Sequence, residues 1–170
     1  MIKDKMTNDE LVKKAGFVLE SVCDPEIPVL TVADLGIIRD IRALDDGTLE
    51  VVITPTYSGC PAMNAIEVNI RAALQEAEFE NVKVTTVLSP AWTTEWLSAE
   101  GRRKLQDFGI APPATPELDK KALLGEHRIL QCPHCGSVNT EMIAQFGSTS
   151  CKALFRCVDC LEPFDYFKCH

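Results

Sequence analysis

The 170-residue sequence has no basic excess, no apolar run of membrane-spanning length, no internal repeat and no low-complexity stretch. Its net charge is −8. A nucleic-acid binder presents a basic field, so nucleic acid is excluded as a partner. Anionic membrane surfaces are disfavoured for the same reason. The charged opening MIKDKMTNDE has no apolar signal-peptide core. Together with the missing spans, this predicts no membrane partner and a cytoplasmic location. There is no glycine-rich phosphate loop and no dinucleotide fingerprint. Histidine is scarce: His127, His134 and His170 are the only three, and none lies near the cysteines of the first half. A cysteine–histidine dyad would need one of them to fold back. These absences point away from a catalytic activity of its own.

The sequence is not short of core material or of cysteine. It is 46% hydrophobic and 25% charged, enough to bury a proper core. Eight cysteines in a reducing compartment, where disulfides are rare, call for metal binding. Cys132-Pro133-His134-Cys135-Gly136 and Cys157-Val158-Asp159-Cys160 are two C-x-x-C elements at near zinc-ribbon spacing. Each turn places two thiolates on one side of a metal, and two turns complete a tetrahedral site. Cys132, Cys135, Cys157 and Cys160 are therefore the expected metal ligands. Structural zinc fits the ribbon spacing, and four thiolates also suit iron or an iron–sulfur cluster. Cys151 and Cys169 remain as additional thiols, either buried or handling iron or sulfur beside the zinc. Phe155, Phe164, Tyr166 and Phe167 are expected to form a small core over the knuckles.

The charge is unevenly spread. From Arg128 onward four basic residues balance four acidic ones, so residues 1–127 carry the whole excess. This fits two modules. Thr7 and Glu10 read as a capping box before a helix over about 8–22. Asp24-Pro25-Glu26-Ile27-Pro28 forbids helix. Strands at 37–42 and 49–54 around Asp45-Asp46-Gly47 form a hairpin. Pro61 opens a second helix with an apolar face of Met63, Ile66, Ile70, Ala73, Leu74 and Ala77. A strand at 82–88 and a helix at about 98–108, ended by Gly109, follow. Ala111 to Pro116 breaks all regular structure, with a brief helical turn expected at 120–124. The fold class is α+β: an α/β sandwich with a mixed sheet over 1–110, a Pro-rich linker over 111–127 and a zinc ribbon over 128–170.

In the first domain, Cys60 sits directly before Pro61 and so at about the N-cap of the second helix. There the orphan N–H groups and the helix dipole would lower its pKa and make it a nucleophile or soft-metal ligand. A small buried cap residue is the equal alternative. Asp24, Glu26 and Asp34 lie in loops that could line the same edge.

Two sets of residues carry a family resemblance. Asp24-Pro25-Glu26-Ile27-Pro28 with Asp34-Leu35-Gly36 and Thr54-Pro55-Thr56-Tyr57-Ser58-Gly59-Cys60-Pro61 resembles the MIP18 (DUF59) family over about residues 8–110. The blocks 146–154 and 162–169 resemble the branch of that family found as the D component of phenylacetyl-CoA epoxidase, in phenylacetate catabolism. The resemblance implies a MIP18-like sandwich followed by a rubredoxin-like ribbon. It implies an accessory or maturation factor for the multicomponent epoxidase. Its partners would be the oxygenase subunits and the iron–sulfur reductase. It carries over Asp24, Glu26, Thr56 and Cys60 as candidate positions for transient iron or cluster transfer. The alternative is a structural scaffold or a non-catalytic component that docks the oxygenase and the reductase, and a homodimer is left open.

Overall fold

The structure is a computed structural model and describes residues 6–113 and 130–168. The expected turn at 120–124, Cys169, His127 and His170 lie outside the described residues. The chain divides into two compact units, residues 1–92 and 93–170.

In the first unit, helix α1 (Asn8–Leu19) starts at Thr7, whose hydroxyl accepts the Glu10 N–H while Glu10 accepts the Thr7 N–H at 2.8 Å. This is the expected capping box, and it satisfies two orphan donors. Strands β1 (Ile38–Ala43) and β2 (Leu49–Ile53) form an antiparallel hairpin. Its turn uses Gly47 at φ +83, a left-handed position that favours glycine. Strand β3 (Val82–Thr86) runs parallel to β2, so the chain needs a crossover, which helix α2 (Met63–Glu76) provides. The sheet order is β1-β2-β3 and the sheet is mixed, as the sequence implies. Ile66, Ile70 and Leu74 recur every four residues along α2 and are buried. With Leu19 and Ile53 they form the heart of the core. Glu50 is the polar exception inside β2. Thr85, Lys83 and Arg42 hold its carboxyl down at about 2, so it stays ionised.

In the second unit, helix α3 (Ala99–Asp107) is capped by Ser98, whose Oγ accepts the Gly101 N–H at 2.8 Å. Past its end, Gly109 has φ +85, the expected left-handed stop. Strands β4 (Ile110–Ala111), β5 (Thr140–Ala144), β6 (Lys152–Cys157) and β7 (Pro163–Phe167) form one sheet in the order β4-β7-β6-β5. Strand β4 corrects the expectation that regular structure ends at Ala111. Ile110 pairs with Asp165 and Ala111 with Tyr166, in parallel. Both residues are apolar and buried, which favours one more strand, and Pro112 then stops it because it has no N–H to give. Phe155 stacks on Phe164 at 5.9 Å and meets Tyr166 edge-on at 5.8 Å. These rings form a small core with Leu130, Ala153, Cys132 and Cys157, as expected for three of the four aromatics; Phe167 is buried but lies outside this cluster. No helix among the described residues is long and apolar enough to cross a membrane.

Candidate metal centre

The two C-x-x-C turns fold alike. In the first, the Gly136 N–H donates to Cys132 O at 2.9 Å and the Cys132 N–H to Ser137 O at 2.8 Å. In the second, the Cys157 N–H donates to Glu162 O at 3.0 Å. The residue after each second cysteine is left-handed: Gly136 at φ +77 and Leu161 at φ +67. That bend turns the backbone N–H groups toward sulfur. The Ser137 N–H donates to Cys135, and the Cys160 and Asp159 N–H groups donate to Cys157.

The two turns meet at the top of β5 and β6, where the Val158 N–H bonds Asn139 O at 2.8 Å. All four sulfurs then lie within 4.8 Å of one another. Cys132 and Cys160 are 3.8 Å apart, and Cys135 and Cys157 are 3.5 Å apart. Thiolates at ~2.3 Å from a central tetrahedral cation stand ~3.8 Å apart, so the donor set fits such a cation.

The thiol acidities agree. The Cys160 N–H, aided by Asp159, holds Cys157 down at about 7. The Ser137 N–H favours a Cys135 thiolate too, but the neighbouring Cys157, burial, and then Cys160 and Cys132 push that thiol up to about 12. Adjacent sulfurs cannot all ionise without a compensating positive charge, and a cation among them supplies it.

Three further residues tie the knuckles together, and the sequence reading missed them. Ser137 Oγ donates to Asp159 Oδ2, and Asn139 Nδ2 donates to Asp159 Oδ1 at 2.8 Å. The Asn139 N–H in turn donates to Ser137 Oγ at 3.0 Å. Ser137 and then Asn139 hold the Asp159 carboxyl below the usual range. No shared position marked them: Ser137 follows the second cysteine of its turn by two residues, whereas Asp159 lies inside its turn, between the two cysteines.

Of the remaining candidates, Cys151 is buried apart from the four. Its sulfur lies 3.1 Å from Thr149 Oγ1, and its carbonyl accepts the Lys168 N–H at 2.9 Å. His134 is exposed on the first knuckle and its ring lies against Gly109.

Cys60 needs two corrections. Helix α2 begins later than Pro61 suggests: its N-cap is Ala62, and Cys60 precedes the cap by two residues. Its sulfur is half-buried, and its pKa is raised rather than lowered. Burial is the largest cause, and the charges of Glu26 and Asp24 add to it. The N–H groups of Ala62 and Met63 oppose them without prevailing.

The charges of Glu26 and Asp24 reach Cys60. Asp24 is buried, and its Oδ1 accepts the N–H groups of Glu26 at 2.8 Å and Ile27 at 2.7 Å. Two prolines in Asp24-Pro25-Glu26-Ile27-Pro28 keep this turn out of helix and let the carboxylate cap it. Thr56 is half-buried on the loop between β2 and α2 that carries Cys60. Asp34 closes its own turn, accepting from Thr31 N and Oγ1 at 3.1 and 3.0 Å.

Known proteins share both halves. Residues 116–168 match the family described as PaaD zinc beta ribbon domain, and residues 17–88 match that described as iron-sulfur cluster assembly protein. A "Fe-S protein maturation auxiliary factor" of Porphyromonas gingivalis is 32% identical over 58% of this chain and 90% of its own length. The crystal structure of a DUF59 domain from Bacillus anthracis is 26% identical, with a TM-score of 0.53, over 58% of this chain and 93% of that one. The putative D component of the 1,2-phenylacetyl-CoA epoxidase of Escherichia coli is 48% identical over 89% of this chain and 88% of its own length. On that match the chain belongs to the same family as the Escherichia coli epoxidase component, an iron–sulfur-assembly-type domain joined to a zinc ribbon.

Proposed function

We propose that this protein is a cytoplasmic accessory factor that helps mature a multicomponent phenylacetyl-CoA epoxidase. Its clients are the oxygenase subunits and the iron–sulfur reductase. The observation that carries the reading is the match of the Cys60-bearing span, residues 17–88, to the iron-sulfur cluster assembly family, with relatives that bear the name of Fe–S maturation factors. One thiol under the charge of two carboxylates is a donor suited to iron. It is also a sparse site, and a cation held there leaves readily. On binding, Cys60 gives up its thiol proton to solvent, and a returning proton releases the cargo. Thr56 shares the loop and helps shape the approach to the sulfur.

In this reading the ribbon holds a structural zinc on Cys132, Cys135, Cys157 and Cys160. When bound, that ion fixes the fold of the ribbon and performs no chemistry. The test compares oxygenase and reductase purified from cells with and without this protein, measuring iron and sulfide in each. Without it, or with Cys60→Ala, the polypeptides should be made but metal- or cluster-deficient. Full metal loading in its absence, with activity restored at once on adding the protein back, would make it a working component or scaffold and end the maturation reading.

A further inference from the structure

We infer that Asp159 is a positioning residue for the ribbon metal: its carboxylate clamps one knuckle to the other and thereby slows the departure of the cation. The inference rests on the reading of the four cysteines as a metal site.

The geometry is specific. The side chains of Ser137 and Asn139 both bond Asp159 across the site, and the N–H groups of Ser137 and Asp159 favour the thiolates of Cys135 and Cys157 respectively. Those two sulfurs are neighbours at 3.5 Å. A shift of either turn would move an N–H off its thiolate and move that thiolate off the cation. The carboxylate opposes that shift through both its oxygens, one to Ser137 and one to Asn139. Ser137 and Asn139 precede Asp159 by 22 and 20 residues, so the ties join knuckles that are distant in the chain. Asp159 and Asn139 are exposed, and the unit's hydrophobic core is assembled from other residues. The clamp therefore acts on the site rather than on the burial that folds the ribbon. Groups that orient metal ligands typically alter metal affinity by about 10–100-fold when removed.

The full-length chain, loaded with zinc, is mixed with excess chromogenic chelator and the release rate is followed. Asp159→Ala should release zinc about tenfold or more faster. Ser137→Ala changes no charge and should act in the same direction. The double variant should be no faster than Asp159→Ala alone, because both remove one linkage. Asp159→Asn keeps a side-chain oxygen and should recover most of the lost retention.

The cobalt-loaded forms supply a second readout. The ligand-field bands should shift in Asp159→Ala and Ser137→Ala while the far-ultraviolet circular dichroism is unchanged. Release at the parental rate in both single variants would overturn the clamp. So would an Asp159→Asn as fast as Asp159→Ala beside an unaffected Ser137→Ala, since charge alone would then explain retention. A parent chain that binds no zinc and no cobalt would remove the metal-site reading itself.

Discussion

In the ribbon, four thiols lie within 4.8 Å of one another; in the first unit, Cys60 is a single half-buried thiol under the charge of Glu26 and Asp24. The same side chain thus meets different surroundings in the two units, although Cys135 and Cys60 are both raised. Donated N–H bonds bring Cys157 down to about 7, whereas burial with Glu26 and Asp24 raises Cys60. On the proposed function, the difference would separate retention from exchange: four preorganised donors would keep a cation, and a single thiol that competes with a proton would let it go. The two units differ in the same sense. The first has a core of Leu19, Ile53, Ile66, Ile70 and Leu74. The ribbon's core is a smaller cluster built on Phe155, Phe164 and Tyr166, so cross-linking by a metal would add to what burial supplies.

The strongest way to break the comparison is to remove a ribbon ligand. Cys157→Ser should abolish tight zinc binding and unfold the ribbon, because structural zinc contributes on the order of 10 kcal/mol to such domains. The first unit should keep its fold. Limited proteolysis with elemental analysis reads both, and a protease-resistant ribbon without metal would erase the contrast.

A smaller effect is expected at Cys60. Its alkylation rate against pH, followed on the Cys60 peptide by mass spectrometry, should give a pKa above the ordinary thiol value of about 8.5. Burial is the largest cause of the rise and the neighbours add to it: negative charge disfavours a second negative charge, so Glu26→Gln should lower the value. An ordinary or depressed pKa in the parent would show that the N–H groups of Ala62 and Met63 prevail after all.

The smallest effect sharpens the likeness of the two knuckles. Leu161 holds the left-handed position that glycine fills in the first knuckle, and its side chain is 69% exposed. Leu161→Gly should raise ribbon stability by up to about 1 kcal/mol, since relief of backbone strain exceeds the extra freedom of the unfolded chain. Gly136→Ala should lower it by a similar amount. Thermal melts of the zinc-loaded protein would show whether the signs are indeed opposite.

Much of this was legible in the sequence because the signals are local. The capping box at Thr7, the four-residue period of α2, the glycine at 109 and the paired C-x-x-C spacing each depend on a few neighbouring residues. The misreadings have a different physical origin. Pro61 marks a helix start only to within a residue or two, and here the cap fell on Ala62. The acidity of Cys60 depends on Asp24 and Glu26, which are remote in sequence, and on burial, which only the fold sets. Strand β4 is two residues long and exists through its pairing with β7, too short for any periodicity to reveal. The Asp159 clamp was similarly hidden. Each partner is an ordinary polar residue until the knuckles face each other.

Strand β4 also bears on how the chain can be cut. It covers Asp165 and Tyr166 on the side of β7 away from β6. A fragment beginning beyond the Pro-rich segment would keep all four ligands, yet it would leave that row of backbone N–H and C=O groups bare. An uncovered strand margin of this kind is a template for pairing with other chains. Ile110 and Ala111 thus cover part of this margin, and a ribbon fragment that carries them keeps it paired.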